Sequence, residues 1–287
     1  MVDQTNLPDE FLEIVHQVKN DASGVDGLIA CAGFELNSWR SKKLAEHLLN
    51  WLPHFALRPS EIEAIGTNNH FKLLKNAAHS VFKSANAERR GEIGELLLHI
   101  IGVTQYRAQA FVSRLFYKMR TNDQVTGFDS TLVTYDERTK DVELWLGEAK
   151  FYQNVSDGVS AALTSLKAHL DAGFLEETKI LVGPKIEPSS PGYEKLQWLF
   201  NDGNKLDEIV SRIVVPVLIA SESAAAQSYS GCENTYQGLV IKEYDYVVRR
   251  LAQSPIANTV RVVAFYVPLA SKSELEAEFK RKLGAYE

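Results

Sequence analysis

Asp129, Glu148 and Lys150 are the residues of this 287-residue chain whose types and spacing best suit chemistry. Asp129 lies early in the run Gly127-Phe128-Asp129-Ser130-Thr131-Leu132-Val133-Thr134-Tyr135. Glu148 and Lys150 lie late in the run Val142-Glu143-Leu144-Trp145-Leu146-Gly147-Glu148-Ala149-Lys150-Phe151. Both runs are rich in strand formers, and the charged segment from Asp136 to Asp141 separates them, which predicts a hairpin. Residues i and i+2 of a strand share a face, so Glu148 and Lys150 project together and interrupt the apolar row Val142, Leu144, Leu146. Antiparallel pairing returns the end of the second strand to the start of the first, and so brings Asp129 near Glu148. Two close carboxylates repel unless a cation lies between them, and a hard ion such as Mg²⁺ prefers oxygen ligands. Such an ion can acidify a water and stabilise charge on a phosphate. The lysine can orient that water, help deprotonate it, or neutralise the phosphorane. Glu-x-Lys by itself is common on solvated hairpins; Asp129 and the hairpin spacing make it a candidate site.

The flanking elements must hold these groups. A helix opening at Ala87 carries Ile93, Leu96, Leu97 and Ile100 on one face. Glu92 and Glu95 fall in its first turns, where the helix dipole favours acids whatever their function. The stretch Gln105 to Arg120 reads as a further helix with the stripe Phe111, Leu115, Met119. Its Arg107, Arg114 and Lys118 share a face, either as a solvated surface or as a phosphate-contacting wall. After Lys150 come a helix through Leu163, Leu166 and Leu170 and a strand Lys179 to Gly183. A helix Leu196 to Phe200 and a strand Ile213 to Ala220 follow, with Pro216 suggesting a bulge or an edge position. A helix Tyr236 to Leu251, a strand Arg261 to Val267 and the capping box Ser271-x-x-Glu274 close the chain. This order suits an α/β sheet flanked by helices.

Residues 1–84 read as an accessory region for partner docking, and 85–287 as the catalytic domain. The accessory region is expected to be mostly helical. One helix buries Phe11, Ile14, Val15 and Val18, and another holds Trp39, Leu44, Leu48, Leu49 and Leu52 and closes at Pro53. A strand lies within Leu28 to Phe34, and a helix spans Phe71 to Phe82. His47, His54, His70 and His79 lack carboxylates or cysteines at ligand spacing and read as core or surface histidines. Two distant cysteines, no membrane-length apolar run and a polar, acidic start fit a cytoplasmic protein with no membrane association. The net charge of −6 argues against non-specific coating of nucleic acid, though not against a local basic cleft. No P-loop, dinucleotide fingerprint or zinc finger occurs and no helix-turn-helix is evident, so coupling to ATP must come from another chain.

Asp129 followed by Glu148-Ala149-Lys150 resembles the core of the PD-(D/E)xK nuclease superfamily, with Phe128 in place of the proline. That resemblance implies a restriction-endonuclease-like mixed sheet and a glutamate from the preceding helix, Glu95 with Glu92 as the alternative. It also implies Mg²⁺ or Mn²⁺ held by Asp129, Glu148, Glu95 and the Ala149 carbonyl. Trp39-Arg40, Leu44 to Pro53, Arg90 to Glu95, Gly127-Phe128-Asp129 and Gly147 to Lys150 together resemble the HamA family, the nuclease subunits of bacterial Hachiman anti-phage systems. This implies a metal-dependent DNA endonuclease restrained and delivered by an ATP-driven helicase, HamB. A restriction- or repair-type nuclease acting alone, and a nuclease fold retained only for binding, are the alternatives.

Overall fold

The computed structural model describes residues 7–19, 24–57, 61, 75–78, 81, 91–111 and 127–284. The amino-terminal elements are β1 (Glu13–Val18), β2 (Asp26–Cys31), the hairpin β3 (Phe34–Glu35) and β4 (Ser38–Trp39), and α1 (Ser41–Ala56). Then come α2 (Gly91–Tyr106), β5 (Gln109–Ala110), β6 (Ser130–Asp136), β7 (Asp141–Tyr152), α3 (Val155–His169) and α4 (Ala172–Val182). The chain continues through α5 (Tyr193–Leu199), α6 (Leu206–Val210), β8 (Ile213–Glu222), α7 (Ala224–Gln227), α8 (Glu233–Ala252), β9 (Arg261–Leu269) and α9 (Lys272–Leu283).

A mixed sheet of seven described strands runs in the order β1-β2-β9-β8-β7-β6-β5. The inner strands β2, β9, β8 and β7 are mutually parallel, and β1, β6 and β5 pair antiparallel at the two sides. Both faces are covered. On one, α1, α2 and α9 bring Leu44, Leu48, Leu97, Ile100 and Phe279 against Trp145, Ala149, Phe151, Leu218 and Phe265. On the other, α3, α4, α5 and α8 pack Val159, Leu166, Leu175, Leu196 and Val247 against Leu144, Leu146, Val217, Ile219 and Tyr266. Burial from both sides is why β8 and β9 are near-continuous apolar runs rather than alternating ones. Among the described residues no helix is long and apolar enough to cross a membrane.

The mixed α/β sheet flanked by helices is as expected, and so are the helix before the candidate hairpin and the helix after it; the strand expected next is instead a helix. Several local expectations are corrected. Phe11 to Val18 is not a helix: β1 pairs antiparallel with β2. Its Val and Ile positions satisfy a helical period, but pairing at the sheet edge overrides it. The amino-terminal region therefore contains strands as well as helices, and β2 joins the sheet through β9. Pro53 lies inside the last turn of α1 rather than beyond it. The missing N–H is tolerated because Leu48, Trp51, Leu52 and Phe55 are all buried on the continuing helix. Lys179 to Val182 belongs to α4, not to a strand. Leu175, Thr178, Lys179 and Val182 are its buried positions, a helical spacing that hides a lysine. The Lys179 Nζ donates to the Asp202 and Asn204 carbonyls at 3.2 and 2.6 Å. Pro216 is central, not at an edge: it aligns with Val263 of β9, while the ladder to β7 lapses beside it and resumes at Glu148 and Val217. A gap in one ladder is what a residue without an N–H needs there.

Candidate active site

The β6–β7 register decides the site. Ser130 pairs with Gly147, which places Asp129 opposite Glu148. The Asp129 N–H donates to the Gly147 carbonyl at 2.9 Å, and the Asp129 Oδ2 accepts from the Ala149 N–H, also at 2.9 Å. Glu148 and Lys150 share a face with Leu144 and Leu146, as the spacing requires, while Trp145, Ala149 and Phe151 fill the opposite core. The Lys150 Nζ donates to Oε1 of Glu148. Glu148 is only 2% exposed.

Two helices close on these strands through glycines. A Cβ at Gly94 of α2 would stand 3.3 Å from the Phe151 Cβ, so α2 approaches β7 closely enough to bring the neighbouring Glu95 to the site. On the other face, a Cβ at Gly158 of α3 would meet the Ile219 Cγ2 at 3.3 Å and the Lys150 Cβ at 3.8 Å. Glu95 is 7% exposed and acts electrostatically on Asp129; Glu92 stays half-buried in the first turn.

The electrostatics reflect crowding. Burial first, then the charges of Glu95 and Glu148, push the Asp129 carboxyl from 3.8 up to about 7, against the opposing Ala149 N–H and Lys150. Burial also works against the Glu148 charge, but His169 and Lys150 outweigh it and hold that carboxyl below its ordinary value. The Lys150 ammonium is likewise disfavoured by burial and held above its usual range by Glu148 and Asp129. Lys150 is thus an internal counter-ion for Glu148 and Asp129. Among the described residues no group of three or more His, Cys, Asp or Glu forms a ready-made metal cage. The oxygens a hard cation can draw on are those of Asp129 and Glu148, with Glu95 beside Asp129.

The HamA family model matches residues 9–283. The chain belongs to the HamA family. Membership implies a component of a Hachiman defence system. No curated protein matches the sequence.

This HamA-family site includes a residue that the sequence did not single out. His169, the last residue of α3, places Nδ1 3.3 Å from Oε2 of Glu148. Its ring stacks on Phe174 at 4.9 Å and tilts against Phe128 at 5.1 Å. Phe128 directly precedes Asp129 and supplies a wall for the histidine. Nothing local in the sequence marks His169, because helix α3 must fold back over β7 before the contact exists.

The basic stripe is corrected in its described part. Arg107 does not lie on a helix with Arg114 and Lys118. Helix α2 runs on to Tyr106, and Arg107 ends it with φ of +54° before β5 begins at Gln109. Its exposed side chain stands at a helix terminus. Arg114 and Lys118 lie outside the described residues.

Proposed function

We propose that this chain is the metal-dependent DNA endonuclease of a Hachiman defence complex. The observation that carries the reading is the register of Asp129 against Glu148, with Lys150 on the same face and Glu95 raising the charge of the pocket. The donor set fits Mg²⁺ or Mn²⁺: the acids are hard oxygen ligands, and the buried Glu148 Oε2 has no formed hydrogen bond. Asp129 and Glu148, with Glu95 and the Ala149 carbonyl, would hold the ion. When bound, it makes water a better nucleophile and offsets charge on the phosphate.

The chain's own residues do the rest. Asp129 is fixed by its bond from the Ala149 N–H, so its carboxylate points into the site rather than into solvent. Lys150 holds a positive charge where the scissile phosphate gathers negative charge, and its ammonium can also orient the attacking water. Water adds to phosphorus and the ester P–O bond breaks, leaving a phosphate monoester and a hydroxyl. The net charge of −6 makes intrinsic affinity for DNA weak and salt-sensitive.

Restraint and delivery belong, in this reading, to a helicase partner of the HamB type, docked mainly on residues before 84. Because β1 and β2 share the sheet, that surface is tested with the full-length chain, by co-purification, and not by truncation.

The catalytic reading is tested on supercoiled plasmid with purified full-length protein and Mg²⁺ or Mn²⁺. Nicking or linearisation is expected, with loss on chelation. Glu148→Ala should remove it while circular dichroism stays that of the parent. Undiminished cleavage by Glu148→Ala would overturn the assignment.

A further inference from the structure

We propose that His169 is a positioning residue of this site, holding the Glu148 carboxylate in its working orientation through the imidazole Nδ1. The inference rests on the nuclease reading and adds a residue to it.

The Glu148 carboxylate is addressed from two elements. Lys150, two positions along β7, donates to Oε1; His169, from the end of α3, faces Oε2 at 3.3 Å. Both the Nδ1 and the Oε2 are buried, and neither has a formed hydrogen bond to any other group. Two buried polar atoms facing each other with no other partner are satisfied only by each other or by something bound between or beside them. At 3.3 Å the pair is longer and less aligned than a finished bond. Contacts of this kind in unliganded sites tighten when substrate or cation arrives.

The ring is held for the purpose. Phe174 stacks on it with an interplanar angle of 24°, and Phe128 tilts against it at 59°. Phe128 directly precedes Asp129, so one aromatic cluster ties the histidine to both acids of the site. Core packing alone has a different look in this molecule. His47 of α1 is also buried, but its neighbours are the Phe11 and Trp51 rings, and burial alone depresses its pKa to about 4. His169 instead meets a carboxylate that is itself almost fully buried. A glutamate has three rotatable side-chain bonds, and fixing them before substrate arrives keeps the reacting groups in geometry. Partners that orient ligand side chains are worth about 10- to 100-fold in metal affinity or activity.

Two substitutions separate positioning from packing. His169→Phe keeps an aromatic ring against Phe128 and Phe174 but removes the nitrogen. His169→Asn loses the ring but keeps an amide N–H near the place of Nδ1. In full-length protein, His169→Phe should melt near the parent temperature and cleave plasmid about 10- to 100-fold more slowly. His169→Asn should melt lower and retain most of the rate. Mn²⁺ affinity by calorimetry should follow the same order, which gives a readout independent of turnover. Parent-like cleavage and Mn²⁺ affinity in His169→Phe would overturn the proposal. So would equal losses in both variants, which would indicate direct metal ligation or a purely structural role. Glu148→Ala in the same assays separates failure of this inference from failure of the nuclease reading: if Glu148→Ala is inactive while His169→Phe is unimpaired, only the inference falls.

Discussion

The two ends of the β6–β7 hairpin carry comparable charge and treat it oppositely. At the turn end, Asp141 takes a bidentate pair from Arg212 at 2.8 and 3.1 Å, and Arg212 also reaches Glu208. Arg261 bridges Glu143 at 2.8 Å and Asp26 at 3.6 Å. Asp141, Glu143, Arg212 and Arg261 line an open groove of about 550 Å³. Asp141 is 41% exposed, and its Arg212 partner holds its carboxyl below the usual range. At the other end Glu148 meets Lys150 and His169, and burial with the charges of Glu95 and Glu148 pushes Asp129 up instead. Neither charge density nor a groove therefore sets the proposed site apart from the turn end. What sets the crowded end apart is that its carboxylates are buried against one another, where burial and like charge together raise the Asp129 carboxyl.

The comparison breaks most visibly in activity. Lys150→Ala should lower plasmid cleavage by about 10²- to 10³-fold or more, since it removes the positive charge nearest the phosphate. Arg212→Ala, at the turn end, should leave cleavage unchanged. Equal effects of the two substitutions would erase the distinction between the ends.

Packing comes next. Gly94→Val should destabilise the fold by about 1–3 kcal/mol in urea unfolding, because the side chain would press on Phe151 and Ala149. It should also lower cleavage by moving α2, and Glu95 with it, away from β7. The paired Gly238→Val on α8, where nothing lies near the added Cβ, should show no overpacking cost and a small gain in helix propensity, since glycine is the poorer helix former.

The opposite pKa shifts give opposite pH signs. Asp129 has its folded value raised, so between 3.8 and about 7 the folded state holds the extra proton and stability falls as pH rises. In metal-free protein, thermal unfolding should therefore show Asp129→Asn gaining about 1–2 kcal/mol over the parent at pH 8 and little at pH 4. Asp141 has its folded value lowered, so its contribution is present above the unfolded value and fades as pH falls through the folded one. Breaking that half-exposed pair with Arg212→Ala should cost only about 0.2–1 kcal/mol at neutral pH, less in high salt.

How much of this was legible in the sequence follows from the range of the interactions. The hairpin and its register were legible because strand alternation and a charged turn are local; they placed Asp129 beside Glu148 and Lys150 on the face of Leu144. Glu95 was legible through its apolar neighbours Leu96 and Leu97. His169 was not, since its role depends on α3 folding back over β7. Nor was the end of α2, because the left-handed Arg107 interrupts a stretch whose composition remains helical. The strand β1 was misread for the same reason: Val15 and Val18 suit a helix period, and only the pairing with β2 decides. Lys179 concealed the helical period of α4 because a buried lysine satisfied by two carbonyls has no sequence signature.

We propose that the crowded end of the hairpin receives a hard divalent cation. Calorimetric titration of Mn²⁺ into the metal-free full-length chain tests it without requiring DNA or an activating partner. Weak binding is expected, which Asp129→Asn reduces markedly and Asp141→Asn leaves unchanged. Equal Mn²⁺ affinity in the parent and Asp129→Asn, or a loss that appears with Asp141→Asn instead, would contradict it.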